Sequence, residues 1–408
     1  MRLQWLAAPI ALAQCVLVQA QAPTVDVETL VRRARASPAV RMADADVEAA
    51  EAVLEGASPW LPSNPQVSLS VGRRLPAGGL ELQAQLQQSL SVAGQRRARR
   101  RAARVGIRSA EQERGWLTRR AEHDVRRWAY RAMVERERMG IAEQVRELAE
   151  QIRQLALRRV ETGEASPMDI LLAETELARS RRSELVAALR EQQARTELAR
   201  LVDWPEPQVP VVTGALPELR PPPPLDRAIA RALDAPVVVA RRTALRSARA
   251  NVEAADRAGV PNPFVGAYYG REGDTQPAHV WLVTLGVPLP LWRRNQPARA
   301  SARATVFRRE RELERTLRAV RAQVTRLHGA ASTAYETARV YETSGLQSVR
   351  QSLARTQRAF ELGELSLLEV SQMRQRVLAA LDEWMEARLA FYDAAEQLAA
   401  FLAEGTEE

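Results

Sequence analysis

The chain has 408 residues and a formal charge of +9, only 5% of it is aromatic, and all 59 of its basic residues are arginine. A chain without lysine has no P-loop lysine, no Schiff-base lysine and no catalytic lysine base. Ala, Arg, Glu, Gln and Leu dominate the composition, which predicts long helices in two or three domains or in one elongated repeat protein.

Residues 1–22 have the pattern of a secretory signal peptide. An early arginine precedes an apolar segment at 6–18, and small residues follow as cleavage sites. The apolar segment is shorter than the roughly 20 residues of a transmembrane helix. The only cysteine, Cys15, lies inside this segment, so we expect the mature chain to be exported and to contain no thiol.

The next elements are a helix and two strands. Residues 25–57 are predicted to be helical with an interruption at Pro38, and 67–72 and 80–92 are predicted strands. In 80–92 the even positions are mostly apolar and the odd positions polar, as in a strand with one apolar and one wet face. A half-buried sheet in a soluble domain has the same pattern. The strand length, the export signal and the nearby aromatic residues favour a membrane β-barrel. These aromatic residues are Trp60, Tyr268, Tyr269, Trp281 and Trp292.

A long helix is predicted after the strands. No proline occurs between Gln95 and Ser166, and a helix over 95–157 would be about 90 Å long, which exceeds a globular core. Its first turns resemble a basic DNA-binding helix, because they place four arginines on one face. These are Arg97, Arg101, Arg104 and Arg108. The export signal argues against nucleic acid, so we expect this face to line a duct or to contact anionic groups near a membrane.

The segment ETGEASPMDIL, residues 161–171, predicts a helical turn. Gly163 is placed to end the preceding helix in the left-handed conformation. Ser166 and Asp169 form a capping-box pattern for the next helix, and Pro167 stands at its first position. The segment therefore predicts the tip of a long antiparallel helical hairpin.

The whole unit then occurs a second time. The first repeat is predicted at 23–215, a proline-rich linker at 216–224 and the second repeat at 225–408. NPQVSLSVG at 64–72 returns as NPFVGAYYG at 262–270, an offset of 198 residues. The tip returns as ELGELSLLEVS, in which Gly363, Ser366 and Glu369 match Gly163, Ser166 and Asp169 at an offset of 200.

The second repeat contains the same predicted elements: a helix over 225–257 interrupted at Pro236, strands at 264–270 and 279–291, and a long helix over 298–358. The two repeats together supply four strands, whereas about eight close the smallest barrel. An open strand edge in lipid would leave backbone groups unpaired, so a membrane barrel requires several copies of the chain.

These features together resemble the TolC-type outer-membrane efflux factors. The resemblance rests on the signal peptide, the duplicated unit, the NP-led strands and the twin tips, and it covers essentially the whole mature chain. The strand openings and chain length are similar in particular to the branch that includes heavy-metal efflux channels. The resemblance implies a mainly α fold with a small β part, in which a trimer forms a 12-stranded outer-membrane β-barrel on a long periplasmic α-helical barrel.

The resemblance also implies function and partners. It implies a passive outer-membrane exit channel for small molecules or metal ions, without enzymatic activity, cofactor or nucleic acid. The implied partners are a second and third copy of the chain, outer-membrane lipid, a periplasmic adaptor protein and an inner-membrane pump of the RND type. The expected adaptor-docking residues are Gly163, Glu164, Ser166, Gly363, Glu364 and Ser366.

A periplasmic gate is expected at Asp169 and Glu369, where the family pattern has acidic residues. A purely structural role remains open, because a capping box accounts for both carboxylates. One departure concerns the closed state: relatives use a tyrosine and a basic residue near the second glycine, but here those positions are Phe360 and Leu365.

Two other classes of protein are alternatives to an efflux channel. An enzyme needs convergent reactive groups, whereas the only histidines, His123, His279 and His328, fall on different predicted elements. A coiled-coil scaffold or nucleic-acid-binding helical protein, exported or intracellular, is the stronger alternative.

Overall fold

The computed structural model describes residues 23–73, 80–205, 209–272, 278–344, 355, 358–360, 362 and 364–402. The predicted signal peptide and Gly363 lie outside the described residues. The first copy of the repeated unit comprises β1 (Thr24–Asp26), α1 (Val27–Ala34), α2 (Pro38–Gly56), β2 (Gln66–Arg73), β3 (Leu80–Ser89), α3 (Gln95–Glu161) and α4 (Pro167–Leu201). The second comprises β4 (Val211–Thr213), α5 (Leu225–Ala232), α6 (Pro236–Ala258), β5 (Phe264–Glu272), β6 (Ala278–Gly286), α7 (Gln296–Ser344) and α8 (Leu367–Phe401). The predicted fold class, mainly α with a small β part in a duplicated unit, is confirmed.

Both predicted helix interruptions are confirmed. Pro38 and Pro236 stand in the first turn of α2 and α6. Proline has no N–H group, and the N–H groups of a first helical turn have no acceptor within the helix, so no hydrogen bond is lost there. The short strands β1 and β4 were not predicted. They pair in parallel, with Thr24 opposite Val211, and three residues are too few for a periodic pattern.

The other four strands form one antiparallel sheet in the order β2-β3-β5-β6. The pairing of β3 with β5 joins the two copies and leaves β2 and β6 as the edges. Leu69 lies opposite Ala84, Ala84 opposite Tyr269 and Tyr269 opposite Trp281, so the apolar positions share one face. The exposed large side chains on this face include Val67, Leu69, Val71, Leu82, Leu86, Trp281, Val283 and Leu285. One chain therefore leaves an apolar sheet face uncovered.

Two strands end earlier than predicted. β3 ends at Ser89 and β6 at Gly286, three and five residues before the predicted limits of 92 and 291. The amide of Leu90 donates instead to the carbonyl of Pro263, at 2.7 Å. Beyond Gly286 the chain contains Pro288 and Pro290, which have no N–H group for a strand ladder.

Long helices continue from the sheet. α3 has 67 residues, which corresponds to about 100 Å, and α7 has 49 described residues. Gly94 and Asn295, directly before α3 and α7, both have positive φ angles, of 74° and 62°. α2, α3, α6 and α7 contact one another in this order, which is the order of the strands to which they connect.

The apolar core is built twice along the helices. α1 packs on α3 and α4 through Leu30 and Leu198, and α5 packs on α7 and α8 through Leu327 and Leu398. Many other buried core residues are alanines, which allow helices to approach closely. Among the described residues, no helix has both the length and the apolar character needed to cross a membrane.

The predicted linker lies against the helices of the second copy. The hydroxyl of Tyr392 donates to the carbonyl of Pro217 at 2.6 Å, and Nε2 of His328 lies 2.8 Å from the carbonyl oxygen of Pro223. The proline run is extended because proline fixes its φ angle and has no amide hydrogen for a helix.

Candidate functional site at the helical tips

The first tip lies between α3 and α4. Gly163 adopts a left-handed conformation with φ of +79°, as predicted. Its amide donates to the carbonyl of Val160 at 3.1 Å, and the amide of Glu164 donates to that of Arg159 at 2.8 Å. These two bonds satisfy the last carbonyls of α3 and reverse the chain.

The predicted capping box begins α4. The side chain of Ser166 accepts a hydrogen bond from the amide of Met168 at 3.2 Å, and the carboxylate of Asp169 accepts one from the amide of Ser166 at 3.0 Å. Pro167 occupies the first turn, where it needs no donor. The sequence therefore specifies this turn locally.

The second tip has the same construction. The amide of Glu364 donates to the carbonyl of Ala359 at 2.9 Å, as Glu164 does to Arg159 in the first tip. The carboxylate of Glu369 accepts from the amide and from the hydroxyl of Ser366, each at 2.8 Å. These hydrogen bonds, the backbone one first, lower the pKa of Glu369 below its ordinary value.

The predicted docking residues lie at the surface of the tips. The described ones, Gly163, Glu164, Ser166, Glu364 and Ser366, are all exposed. Of the predicted gate residues, Glu369 is exposed and Asp169 is half-buried. Exposed apolar side chains surround them, including Met168 and Leu362, each 68% exposed. The tips thus present mixed apolar and acidic surface, and their roles in docking and gating stay predictions.

An apolar cluster holds the two tips together. Phe360 is only 3% exposed and packs with Ile152 and Ala156 of α3, Ala173 of α4, and Leu367 and Val370 of α8. Leu365 packs against the same cluster, and the guanidinium of Arg159 lies 5.6 Å from the Phe360 ring centre. The two positions that depart from the family pattern therefore contribute apolar packing between the hairpins.

A buried ion pair lies next to this cluster. Glu176 of α4 and Arg374 of α8 pair directly, and their side chains are 8% and 5% exposed. Arg179 also binds the Glu176 carboxylate, at 2.8 Å, and Gln375 donates to it at 3.3 Å. Sequence reasoning missed this pair. The sequence did contain a signal for it. Arg374 lies four residues after Val370 and three before Val377, which is the spacing of the buried positions on this helix.

A second charged network ties α3 to α8 farther from the tips. Arg138 contacts Glu386 at 2.9 Å and Asp382 at 3.5 Å, and Arg388 pairs with Glu137 at 2.7 Å. Glu135 lies 3.7 Å from Arg138, yet burial raises the pKa of this carboxyl above its ordinary value.

The histidines have partners on different elements. His123 lies 2.8 Å from Glu396, and His279 lies 2.9 Å from the Tyr269 hydroxyl. In the described part of the chain, no group of three or more His, Cys, Asp or Glu side chains is arranged to hold a metal ion.

Comparisons with known proteins agree with this architecture. The family model described as outer membrane efflux protein matches residues 228–404. A solved structure of CusC has a TM-score of 0.74 and 17% identity, with 93% of each chain covered. A membrane protein from Pseudomonas aeruginosa has a TM-score of 0.74 and 18% identity, covering 92% of this chain and 93% of that one.

An open-state structure of the outer-membrane channel MtrE from Neisseria gonorrhoeae has a TM-score of 0.70 and 17% identity, covering 92% of this chain and 88% of that one. No curated protein sequence matches the chain. The family model covers most of the second copy, and the solved channels share the fold of both copies. The chain therefore has the fold of solved outer-membrane channels, and its second copy matches the model described as outer membrane efflux protein.

Proposed function

We propose that this protein is the passive exit duct of a tripartite efflux system. The observation that carries the proposal is the four-stranded sheet, which has one exposed apolar face and stands at one end of helices about 100 Å long. A membrane sheet at one end of helices of this length suits a protein that connects two membranes.

Oligomerisation follows from the edges of the sheet. Among the described residues, no strand pairs with the outer sides of β2 and β6, so these edges present backbone groups that a lipid environment cannot satisfy. Three copies that pair β6 of one chain with β2 of the next would supply twelve strands, well above the smallest closed barrel. The same arrangement would set α7 of one copy beside α2 of its neighbour and close the helical layer.

The tips would then contact the rest of the efflux system. They lie at the far end of the hairpins, so a periplasmic adaptor and an RND-type inner-membrane pump would meet the exposed tip residues first. The tip glycines, Glu164, Glu364 and the capping serines would form the docking surface. Asp169 and Glu369 would be gathered around the narrow end of the duct in three copies each.

The cargo would be small molecules or metal ions. Metal ions are included because of the resemblance of the strand openings to the heavy-metal branch. Net transport would come from the pump, since a passive duct supplies only a path.

The experiment is to express the full-length chain in a Gram-negative host and isolate it from the outer membrane. We expect it to require detergent, to behave as a trimer by light scattering, and to show dominant helix with some strand by circular dichroism. A soluble monomer in the periplasm or cytoplasm would support the scaffold alternative and overturn the proposal.

A further inference from the structure

The first turns of α3 carry a set of four arginines, Arg97, Arg100, Arg104 and Arg108, which we call the arginine face. In the part of the chain that the structure describes, no acidic side chain pairs with any of the four. Their neighbour Arg101 does have a partner, Glu253, at 3.2 Å. The Nε atom of Arg100 is buried without a hydrogen-bond partner. Among the described residues, four clustered positive charges therefore lack a counter-charge.

The second copy lacks this feature at the equivalent place. Gly94 and Asn295 occupy the same position before α3 and α7, so Ala298, Ser301 and Thr305 correspond to the first three arginines. The arginines that α7 does have nearby are neutralised: Arg299 pairs with Asp256 at 2.6 Å, and Arg309 pairs with Glu312 at 2.6 Å. The arginine face is thus specific to the first copy and is not needed to build the repeated fold.

The arginine face lines a groove of about 750 Å³ directly below the sheet. Two apolar side chains line the same groove, Trp60 and Val92, which are 74% and 63% exposed. Tryptophan is enriched where a membrane sheet meets water, because its ring is apolar and its N–H is polar. The groove therefore combines cationic groups with an aromatic side chain typical of the membrane interface.

The groove lies within one chain. α3 follows an inner strand of the sheet and has α2 and α6 of the same chain at its sides. Ala102, Ala103 and Gly106, which line a separate groove with α2 and α6, lie on the opposite side of α3 from the arginine face. A neighbouring copy that pairs at the sheet edges would leave the arginine face open, toward either the lipid boundary or the duct.

We propose that the arginine face binds the phosphate group of an anionic phospholipid in the periplasmic leaflet of the outer membrane. The inference rests on the proposed function, because it requires the sheet to lie in the membrane. Guanidinium groups bind phosphate oxygens through paired, charge-assisted hydrogen bonds. Trp60 and Val92 would contact the glycerol and upper acyl chain of the same lipid, which favours the lipid boundary over the duct.

The test uses the full-length protein purified from outer membranes. The variant Arg97→Gln/Arg104→Gln/Arg108→Gln is compared with Arg315→Gln/Arg318→Gln/Arg321→Gln, which removes the same charge from exposed positions on α7 farther from the sheet. Trimer formation is measured first, so a failure of the proposed function is seen separately. Phosphatidylglycerol and phosphatidylcholine are then added in equal amounts, and lipids retained per trimer are counted by native mass spectrometry.

We expect the wild type and the α7 variant to retain phosphatidylglycerol in preference to phosphatidylcholine. The arginine-face variant should retain less phosphatidylglycerol per trimer than the wild type, by a factor of about ten or more. Excess inorganic phosphate should not displace the lipid, since it lacks the apolar part. Equal retention by all three proteins would overturn the inference. So would displacement by phosphate, or an effect of the variant on ion selectivity in a planar bilayer with lipid retention unchanged. If the triple variant does not assemble, Arg104→Gln alone should still reduce retention by about twofold to fivefold.

Discussion

Glu176 of α4 and Arg374 of α8 form a buried ion pair between the two hairpins of one chain, close to the tips. The two residues are 198 positions apart, so the contact is entirely tertiary. Together with the apolar cluster around Phe360, the pair fixes the position of one tip relative to the other. A rearrangement of the tips that separates α4 from α8 would have to expose both charges.

The ion pair leads to a stability prediction. Arg374→Met should lower the free energy of unfolding by roughly 3–5 kcal/mol, because it leaves the Glu176 carboxylate buried without its main partner. The double variant Glu176→Leu/Arg374→Met should recover most of this loss. Denaturant unfolding of the purified protein measures both. Arg376→Met, at an exposed position two residues away, is the matched control and should change stability by less than about 0.5 kcal/mol. Equal effects at 374 and 376 would contradict the buried pairing.

Gly163 provides a test of the docking role. Gly163→Val should abolish efflux while trimers remain in the outer membrane, because a β-branched residue is strained at a φ of +79° and adds bulk to the tip. Apart from the adjacent residues, no atom of the described chain lies within 4 Å of the added Cβ, so we expect the strain to stay local to the tip. Host resistance to a transported compound and trimer abundance are the two measurements.

Gly140→Ala in the middle of α3 is the control for this experiment, since its added Cβ also meets no atom within 4 Å. It should leave efflux normal and favour the helix by about 1 kcal/mol. Normal efflux from Gly163→Val, or loss of its trimers, would argue against a docking role. The same replacement at Gly363 is predicted to behave alike.

The two capping acids give a prediction about ion flow. If three copies each of Asp169 and Glu369 surround the periplasmic opening, wild-type trimers in a planar bilayer should select for cations and be partly blocked by divalent cations from the periplasmic side. Charges within the ~8 Å screening length of physiological salt act together on a passing ion. Asp169→Asn/Glu369→Gln should weaken both effects and keep most of the capping bonds. Unchanged selectivity in a folded double variant would leave these residues with a capping role only.

The sheet register predicts different outcomes at neighbouring positions of β6. Val283 lies opposite Ala267 on the apolar face and is 84% exposed, whereas Thr284 points to the other face. Val283→Arg should destabilise the membrane-inserted state by about 2–4 kcal/mol and reduce trimer yield in the outer membrane, because it places a charge in lipid. Thr284→Arg should be tolerated. Equal yields of both variants would show that the apolar face is not turned toward lipid.

Much of this architecture could be predicted from local sequence. Pro38 and Pro236 mark helix starts because proline lacks an amide hydrogen, and the capping boxes at Ser166 and Ser366 need only residues three apart. The alternation of apolar and polar residues in β3 predicts one apolar face, because successive side chains of a strand point to opposite faces of the sheet. The offset of about 200 residues between the two tip sequences is enough to indicate the duplication.

Contacts between distant residues could be decided only by the tertiary structure. The pairing of β3 with β5 puts Ala84 beside Tyr269, and no local pattern states which strands of the two copies meet. The three-residue strands β1 and β4 are too short to have a period. Glu176 and Arg374 look like ordinary surface charges until the packing of α4 against α8 excludes water from both. Backbone preferences depend on a few neighbouring residues and can therefore be predicted from the sequence. The burial of side chains and the pairing of strands and charges depend on which surfaces the folded chain brings together.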